Sequence, residues 1–96
     1  MSFKLTEVYS AGNGISRKYS LRSIYINPQH IACLREEQVI KRLLGEGKLI
    51  EGLDNRQNFT RVTLNRSSIQ GDIIVVGSIE EINRKLNIEA RELLRG

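Results

Sequence analysis

Hydrophobic and polar residues alternate along two stretches near the start of the chain. Phe3 and Leu5 are interleaved with polar residues, and residues 19–26 (YSLRSIYI) resume the alternation after the glycine-containing segment AGNGISRK. Because successive side chains of a β-strand point to opposite faces of the sheet, this spacing predicts two strands joined by a loop. Asn27-Pro28 then predicts a turn, since proline lacks an N–H group and restricts the residue before it.

The middle of the chain carries a third apolar stretch, a helical spacing and then an irregular segment. Residues 30–35 (HIACLR) predict another strand. Residues 36–44 place apolar side chains on one helical face, and Gly45 is the predicted end of that helix. The apolar positions of that face are Val39, Ile40, Leu43 and Leu44. The glycine-rich residues 45–58 predict an irregular insertion between two strands.

The last third of the chain predicts a strand, a hairpin, a strand and a helix. Residues 59–65 (FTRVTLN) alternate like a half-buried strand, whereas residues 73–76 (IIVV) are apolar on both faces and predict a central or doubly covered strand. The residues expected to form the hairpin turn are Ser67, Ser68, Gly71 and Asp72. Ser78 and Glu81 form a capping box at the start of an amphipathic helix. The apolar stripe of that helix consists of Ile79, Ile82, Leu86, Ala90, Leu93 and Leu94.

These elements predict one α+β domain over residues 1–96. We expect a bent antiparallel sheet of about five strands, with the C-terminal helix packed on one face or against a neighbouring subunit. A short helix or irregular insertion occupies the middle. A small domain with exposed sheet edges often self-associates, because an edge strand offers unpaired N–H and C=O groups.

Composition narrows the class of protein. The 96 residues are 40% apolar and 27% charged, which is ordinary for a single globular domain. Cys33 is the only cysteine, so an internal disulfide is excluded and a reducing compartment is expected. No apolar run approaches the roughly 20 residues of a membrane span, and the first residues lack the apolar region of a signal peptide. We therefore expect a soluble, cytoplasmic protein.

Residues suited to catalysis or metal binding lack their usual companions. His30 is the only histidine and lies in a predicted turn, where a polar surface role or a backbone hydrogen bond is expected. Cys33 is expected to be a small buried residue. The carboxylate pairs Glu36-Glu37 and Glu80-Glu81 begin predicted helices, where negative charge stabilises the N-terminus. The sequence predicts no enzyme, no metal and no cofactor.

The basic residues form the remaining candidate site. The net charge is +4, with ten Arg and five Lys, and arginine is well suited to phosphate and carboxylate groups. In the predicted strands Arg22 shares a face with Ile24, and Arg61 shares one with Phe59 and Thr63. The candidate residues for an anion-binding or nucleic-acid-binding surface are Arg17, Lys18, Arg22, Arg61 and Arg66. The alternative is a solvated face whose scattered charge serves solubility.

Two blocks of the chain, IYINPQHIACLRE and TRVTLNR…IIVVGSIEEINRKL, resemble the small FlbD/SwrD proteins encoded in bacterial flagellar operons. The matching positions are Tyr25, Asn27, Pro28, Ile31, Val75, Val76, Ser78, Glu80, Glu81 and Ile82. The resemblance covers about half of the chain. It does not extend to the N-terminal loop, to residues 38–58 or to the end of the final helix.

The resemblance implies a small non-enzymatic accessory protein, and a phage-encoded relative fits it equally. Its matched positions form a turn, a core and a helix cap, so it carries over no functional residue. The strands followed by a helix also resemble part of the LytTR DNA-binding domain. The leading hypothesis is thus a binding module that contacts itself or another protein, and the alternative is a nucleic-acid- or nucleotide-binding protein.

Overall fold

The computed structural model describes residues 3–11, 18–46, 53, 54, 56–65 and 70–94. It contains β1 (Phe3–Ala11), β2 (Lys18–Ile26), a 3₁₀ turn (Pro28–His30), β3 (Ile31–Glu36), α1 (Gln38–Gly45), β4 (Phe59–Asn65), β5 (Gln70–Val76) and α2 (Ile79–Leu94). The predicted α+β class, the five strands and the C-terminal helix are confirmed, and the short middle helix is α1.

The five strands form one antiparallel sheet in the order β2-β1-β5-β4-β3. The pairs β1–β2 and β4–β5 are consecutive in the chain, and β1 joins them by pairing with β5. β5 is therefore the central strand, which explains why its IIVV segment is apolar on both faces.

The two outermost strands, β2 and β3, are joined by only four residues. A chain of five steps from Ile26 to Ile31 spans at most about 17 Å, and the 3₁₀ turn within it shortens this reach. In a flat sheet, four strand spacings would separate these strands by about 19 Å. The registers also place Ile26 beside Phe3 and Ile31 beside Leu64, at opposite ends of the sheet. The sheet must therefore curl and twist so that the end of β2 meets the start of β3, in keeping with the bent sheet that the sequence predicts.

The turn that makes this connection is held by Asn27. Its side-chain Oδ1 accepts a hydrogen bond from the Gln29 N–H at 3.0 Å, and its carbonyl accepts one from the His30 N–H at 2.9 Å. Pro28 occupies the first position of the 3₁₀ turn, where a missing N–H costs nothing. The predicted Asn-Pro turn and the place of His30 in it are confirmed.

Each face of the sheet is covered by one helix, and we call the two sides the α2 face and the α1 face. On the α2 face, Ile82 of α2 is fully buried against a cluster of strand residues. That cluster consists of Phe3, Leu5, Ile26, Val62 and Val75. On the α1 face, the buried cluster consists of Val8, Phe59, Ile40 and Leu44, the last two from α1. Burial on both sides is what allows so small a sheet to exclude water.

A buried junction connects β5 to α2. The Thr60 hydroxyl is fully buried and donates to the Gly77 carbonyl at 2.9 Å, and the Gly77 N–H donates to the Asn58 carbonyl at 2.9 Å. Gly77 has a φ of +124°, which side-chain-bearing residues rarely adopt. Next to it, the Ser78 Oγ accepts the Glu81 N–H at 3.1 Å, so the predicted serine cap of α2 is present.

Three sequence predictions need correction or lie outside the described residues. Gly71 and Asp72 belong to β5 and pair with β4, so the turn predicted there is wrong. Cys33 is exposed, not buried, because it lies opposite Thr63 on the α1 face, where no residue of β3 joins the buried cluster. Ser67, Ser68 and the side chains of α2 beyond Asn87 lie outside the described residues.

Part of the predicted insertion between α1 and β4 lies within the described residues. Residues 53, 54 and 56–58 contain no helix or strand, as predicted. Lys41 of α1 holds this segment, since its Nζ donates to the carbonyls of Arg56 and Gln57 and to Oδ1 of Asn58.

Replacing Gly77 by alanine is expected to destabilise the fold by about 1–3 kcal/mol. The new Cβ would lie 3.2 Å from Cδ1 of the fully buried Ile82, and the positive φ would be strained for any side chain. Gly71→Ala is the matched control, because a Cβ there meets nothing within 4 Å. Urea unfolding of both variants measures the difference, and equal free energies of unfolding would contradict the expectation.

Candidate functional site

The structure describes the side chains of only two of the five basic residues proposed from the sequence. Arg17 and Arg66 lie outside the described residues. Lys18 is the first residue of β2, and its backbone pairs with that of Ala11. Its side chain is not among those that the structure describes. The structure can therefore test the predicted basic surface only at Arg22 and Arg61.

Arg22 and Arg61 lie on opposite faces of the sheet. Directly opposed residues of neighbouring strands share a face. Arg22 is opposite Glu7, which is opposite Val75 of the α2 face, whereas Arg61 is opposite Ile74 of the α1 face. The face-sharing predicted within each strand is correct, but the two strands present these arginines to different sides, so they do not form one surface.

Arg22 is engaged by two residues of β1. Its Nε donates to Oε1 of Glu7 at 2.8 Å, and its guanidinium lies 4.3 Å from the centre of the Tyr9 ring. The hydrogen bond to Glu7 and the charge of that carboxylate raise the pKa of Arg22. The Glu7 side chain is 10% exposed, so this pair neutralises a nearly buried carboxylate.

Arg61 is the centre of a five-residue polar network on the α1 face, formed by Glu37, Arg61, Asp72, Arg35 and Thr63. Arg61 binds Oε2 of Glu37 at 2.8 Å and Oδ2 of Asp72 at 3.3 Å. Arg35 binds Oδ2 of Asp72 at 3.3 Å, and the Thr63 hydroxyl donates to Oδ1 of Asp72 at 2.8 Å. Two guanidinium groups face two carboxylates, so the network carries no net charge.

The pKa shifts in this network follow from its contacts. The hydrogen bond from Thr63 lowers the pKa of Asp72, and Arg61 and Arg35 lower it further against the opposing effect of desolvation. Desolvation acts to lower the pKa of Arg61, but the hydrogen bonds and charges of Glu37 and Asp72 outweigh it and raise that pKa. The protonated form of Arg61 and the ionised form of Asp72 therefore stabilise each other.

Two small recesses lie beside the start of α2, and acidic side chains line both. One has a volume of about 130 Å³ and is lined by Glu36, Asn58, Phe59, Ser78, Ile79 and Glu80. The other has a volume of about 200 Å³ and is lined by Asp54, Arg56, Gln57, Asn58 and Glu81. Arg56, the single cation among these residues, is already paired with Asp54 at 3.2 Å. These linings do not favour an anion.

The described residues contain no group of three or more His, Cys, Asp or Glu side chains arranged to hold a metal ion. Among those same residues, no helix is long and apolar enough to cross a membrane.

Comparison of the chain with protein-family models, with curated proteins and with solved structures finds no match. The resemblance to the flagellar-operon proteins stays a prediction from the sequence.

Sequence reasoning identified Arg22 and Arg61 but missed the carboxylates that bind them. Glu7 lies 15 residues from Arg22 in the chain, and Glu37 lies 24 residues from Arg61. The register of β1 against β2 brings Glu7 close to Arg22. Alternation in the sequence predicted the two strands, but it did not give the length of the loop between them and therefore not their register. Glu37 was interpreted as a favourable charge at a helix start, whereas its carboxylate reaches back to β4.

Arg61→Met is expected to destabilise the fold by about 3 kcal/mol, because it leaves the buried carboxylate of Glu37 without a cation. The Glu37 side chain is 5% exposed. Arg35→Met is the matched control in the same network. It removes a mostly exposed ion pair, and a loss below about 1 kcal/mol is expected. Urea unfolding compares the two, and adding Glu37→Gln to Arg61→Met should recover part of the loss.

Asp72→Asn is expected to lower stability at neutral pH and to lose this effect in acid. The pKa of Asp72 is depressed in the folded state, so its carboxylate stabilises the fold above its unfolded pKa of about 3.9. That contribution disappears as the pH falls through the lower folded pKa. Urea unfolding of both proteins from neutral pH to about pH 3 measures this. A difference in free energy that stays constant over the whole range would contradict it.

Proposed function

We propose that this chain is a non-catalytic accessory module of the cytoplasm that acts through protein–protein contacts and associates with itself. The observation that carries the proposal is the outer edge of β2, which no strand of the described residues pairs with. An unpaired strand edge offers backbone donors and acceptors that another chain can satisfy.

Side chains along β2 support a protein partner. Tyr25 is 63% exposed on this edge strand, and tyrosine is enriched at protein interfaces because it combines apolar area with a polar end. On the α1 face its neighbour along the strand is the uncharged Ser23, and the strand contains no proline. Such an edge favours the addition of an extended segment.

The charge distribution argues against an anionic partner as the leading proposal. Arg22 and Arg61 are both bound to carboxylates of the same chain, and they occupy opposite faces. A phosphate group at Arg61 would compete with Glu37 and Asp72, and one at Arg22 would lie beside the negative charge of Glu7. Lysine and arginine gain affinity for nucleic acid by neutralising phosphates and releasing the counterions condensed on them. A guanidinium already neutralised by a carboxylate of its own chain contributes less to this effect.

The alternative is a nucleic-acid- or nucleotide-binding protein that uses Arg17, Lys18 and Arg66. One observation favours it. The strand ends Ala11 and Lys18 lie at the same end of the sheet as Asn65 and Gln70, because β1 and β5 are neighbouring antiparallel strands. In the chain, Arg17 directly precedes β2 and Arg66 directly follows β4.

Light scattering and salt-dependent retention distinguish the two functions. We expect the molar mass to rise with concentration toward that of a dimer, and we expect elution from immobilised single-stranded DNA at low salt. Arg17→Ser combined with Arg66→Ser should leave the molar mass unchanged. A monomer at every concentration, retained on DNA with a steep salt dependence that this double variant removes, would replace the proposal by its alternative.

A further inference from the structure

We infer that β2 pairs with β2 of a second copy of this chain, antiparallel and with Ser23 on the two-fold axis, so that two five-stranded sheets become one continuous sheet. The inference rests on the proposed function and names its partner and its register. Four features of the described residues support it.

The first feature is the difference between the two outer strands. β2 has nine residues, and its register with β1 is unbroken from Lys18 to Ile26. β3 has six residues, its register shifts between Ile31 and Cys33, and it leads into α1 after Glu37. Short length and a bulge are the usual means by which a sheet edge is protected from pairing. β3 is short and its register is interrupted, whereas β2 is longer and its register is continuous.

The second feature is the direction of Arg22. A charged side chain in the middle of an edge strand normally discourages another strand from pairing there. Here the guanidinium extends over β1, where it contacts Glu7 at 2.8 Å and the Tyr9 ring at 4.3 Å. Because the neighbouring strand holds this charge, the outer edge of β2 loses the protection that Arg22 would otherwise give.

The third feature is the register that covers Tyr25. With Ser23 on the axis, residues 20–26 of the two copies oppose each other, and Tyr25 lies opposite Leu21 of the second copy, twice by symmetry. Both side chains lie on the α1 face, because they are separated by an even number of residues. Aromatic and aliphatic side chains in directly opposed positions stabilise a strand pair.

The fourth feature is the weakness of the neighbouring registers. With Arg22 on the axis, the two Arg22 side chains would be directly opposed, and like charges in such positions are destabilising. With Leu21 on the axis, the exposed Tyr25 ring falls opposite position 17, beyond the start of β2. Moving the axis to Ile24 shortens the overlap to five residues, 22–26. Ser23 is the axis position that satisfies both charge and apolar cover.

Disulfide trapping at the axis tests the inference directly. In a background with Cys33→Ser, the variant Ser23→Cys places two thiols directly opposite each other, with Cα atoms at a distance of about 4.5–5.5 Å that suits a disulfide. We expect a covalent dimer as the main species after mild oxidation. Thr6→Cys in the same background is the matched control, because Thr6 is exposed, lies opposite Ser23 and is one strand further from the edge. The two Thr6 positions would be about 14 Å apart, and no cross-link is expected.

A charge swap provides a second, non-covalent measurement. Ser23→Lys and Ser23→Glu should each raise the dissociation constant of the dimer at least about tenfold, because like charges meet on the axis. An equimolar mixture of the two variants should form the dimer again. Circular dichroism and urea unfolding check that the variants fold.

The outcomes separate this inference from the function on which it rests. A dimer in light scattering that Ser23→Cys does not trap would overturn the β2 register and leave the protein-contact proposal standing. A chain that is monomeric at every concentration overturns both the pairing and the self-association. Trapping at residue 23 together with recovery in the charge-swapped mixture supports the inference.

Discussion

The connection between Ile26 and Ile31 is the constraint on which the rest of this fold depends. Four residues join strands that lie at opposite edges of a five-stranded sheet, and this is possible only because the sheet curls. On the α2 face of the curled sheet, Phe3, Val62 and Val75 belong to one buried cluster. Ile82 of α2 is fully buried in that cluster. The Asn27 side chain and Pro28 secure the connection locally, so a short polar turn controls the shape of the whole sheet.

The charged side chains follow from the same geometry. Directly opposed residues of neighbouring strands share a face, so the register decides which charges meet, as at Glu7 and Arg22. Glu7 and Glu37 are nearly buried and each binds an arginine from a neighbouring strand. A buried carboxylate without a cation would be strongly destabilising. Arg22 and Arg61 therefore neutralise carboxylates within the fold.

Much of the fold could be predicted from the sequence because its signals are local. Alternation along residues 19–26 and 59–65, the Asn-Pro turn and the Ser78 cap all depend on contacts within a few residues. Gly71 and Asp72 show the limit of local signals. They have the composition of a turn, yet Asp72 is held in β5 by Thr63 of β4 and by arginines of β3 and β4. A tertiary network overrides their turn preference.

For the candidate site too, some features could be predicted from the sequence and others depended on tertiary contacts. The sequence by itself determined the strands, the capped helix, the absence of an internal disulfide and the face of each arginine relative to its own strand neighbours. The strands, the helix and the faces of the arginines follow from side-chain repeats of two residues in a strand and 3.6 residues in a helix. Only the tertiary structure decided that Arg22 and Arg61 lie on opposite faces, that Glu7 and Glu37 neutralise them, and that β2 lies at an edge. Strand order and register join residues far apart in the chain, and alternation along one strand does not specify which strand lies beside it.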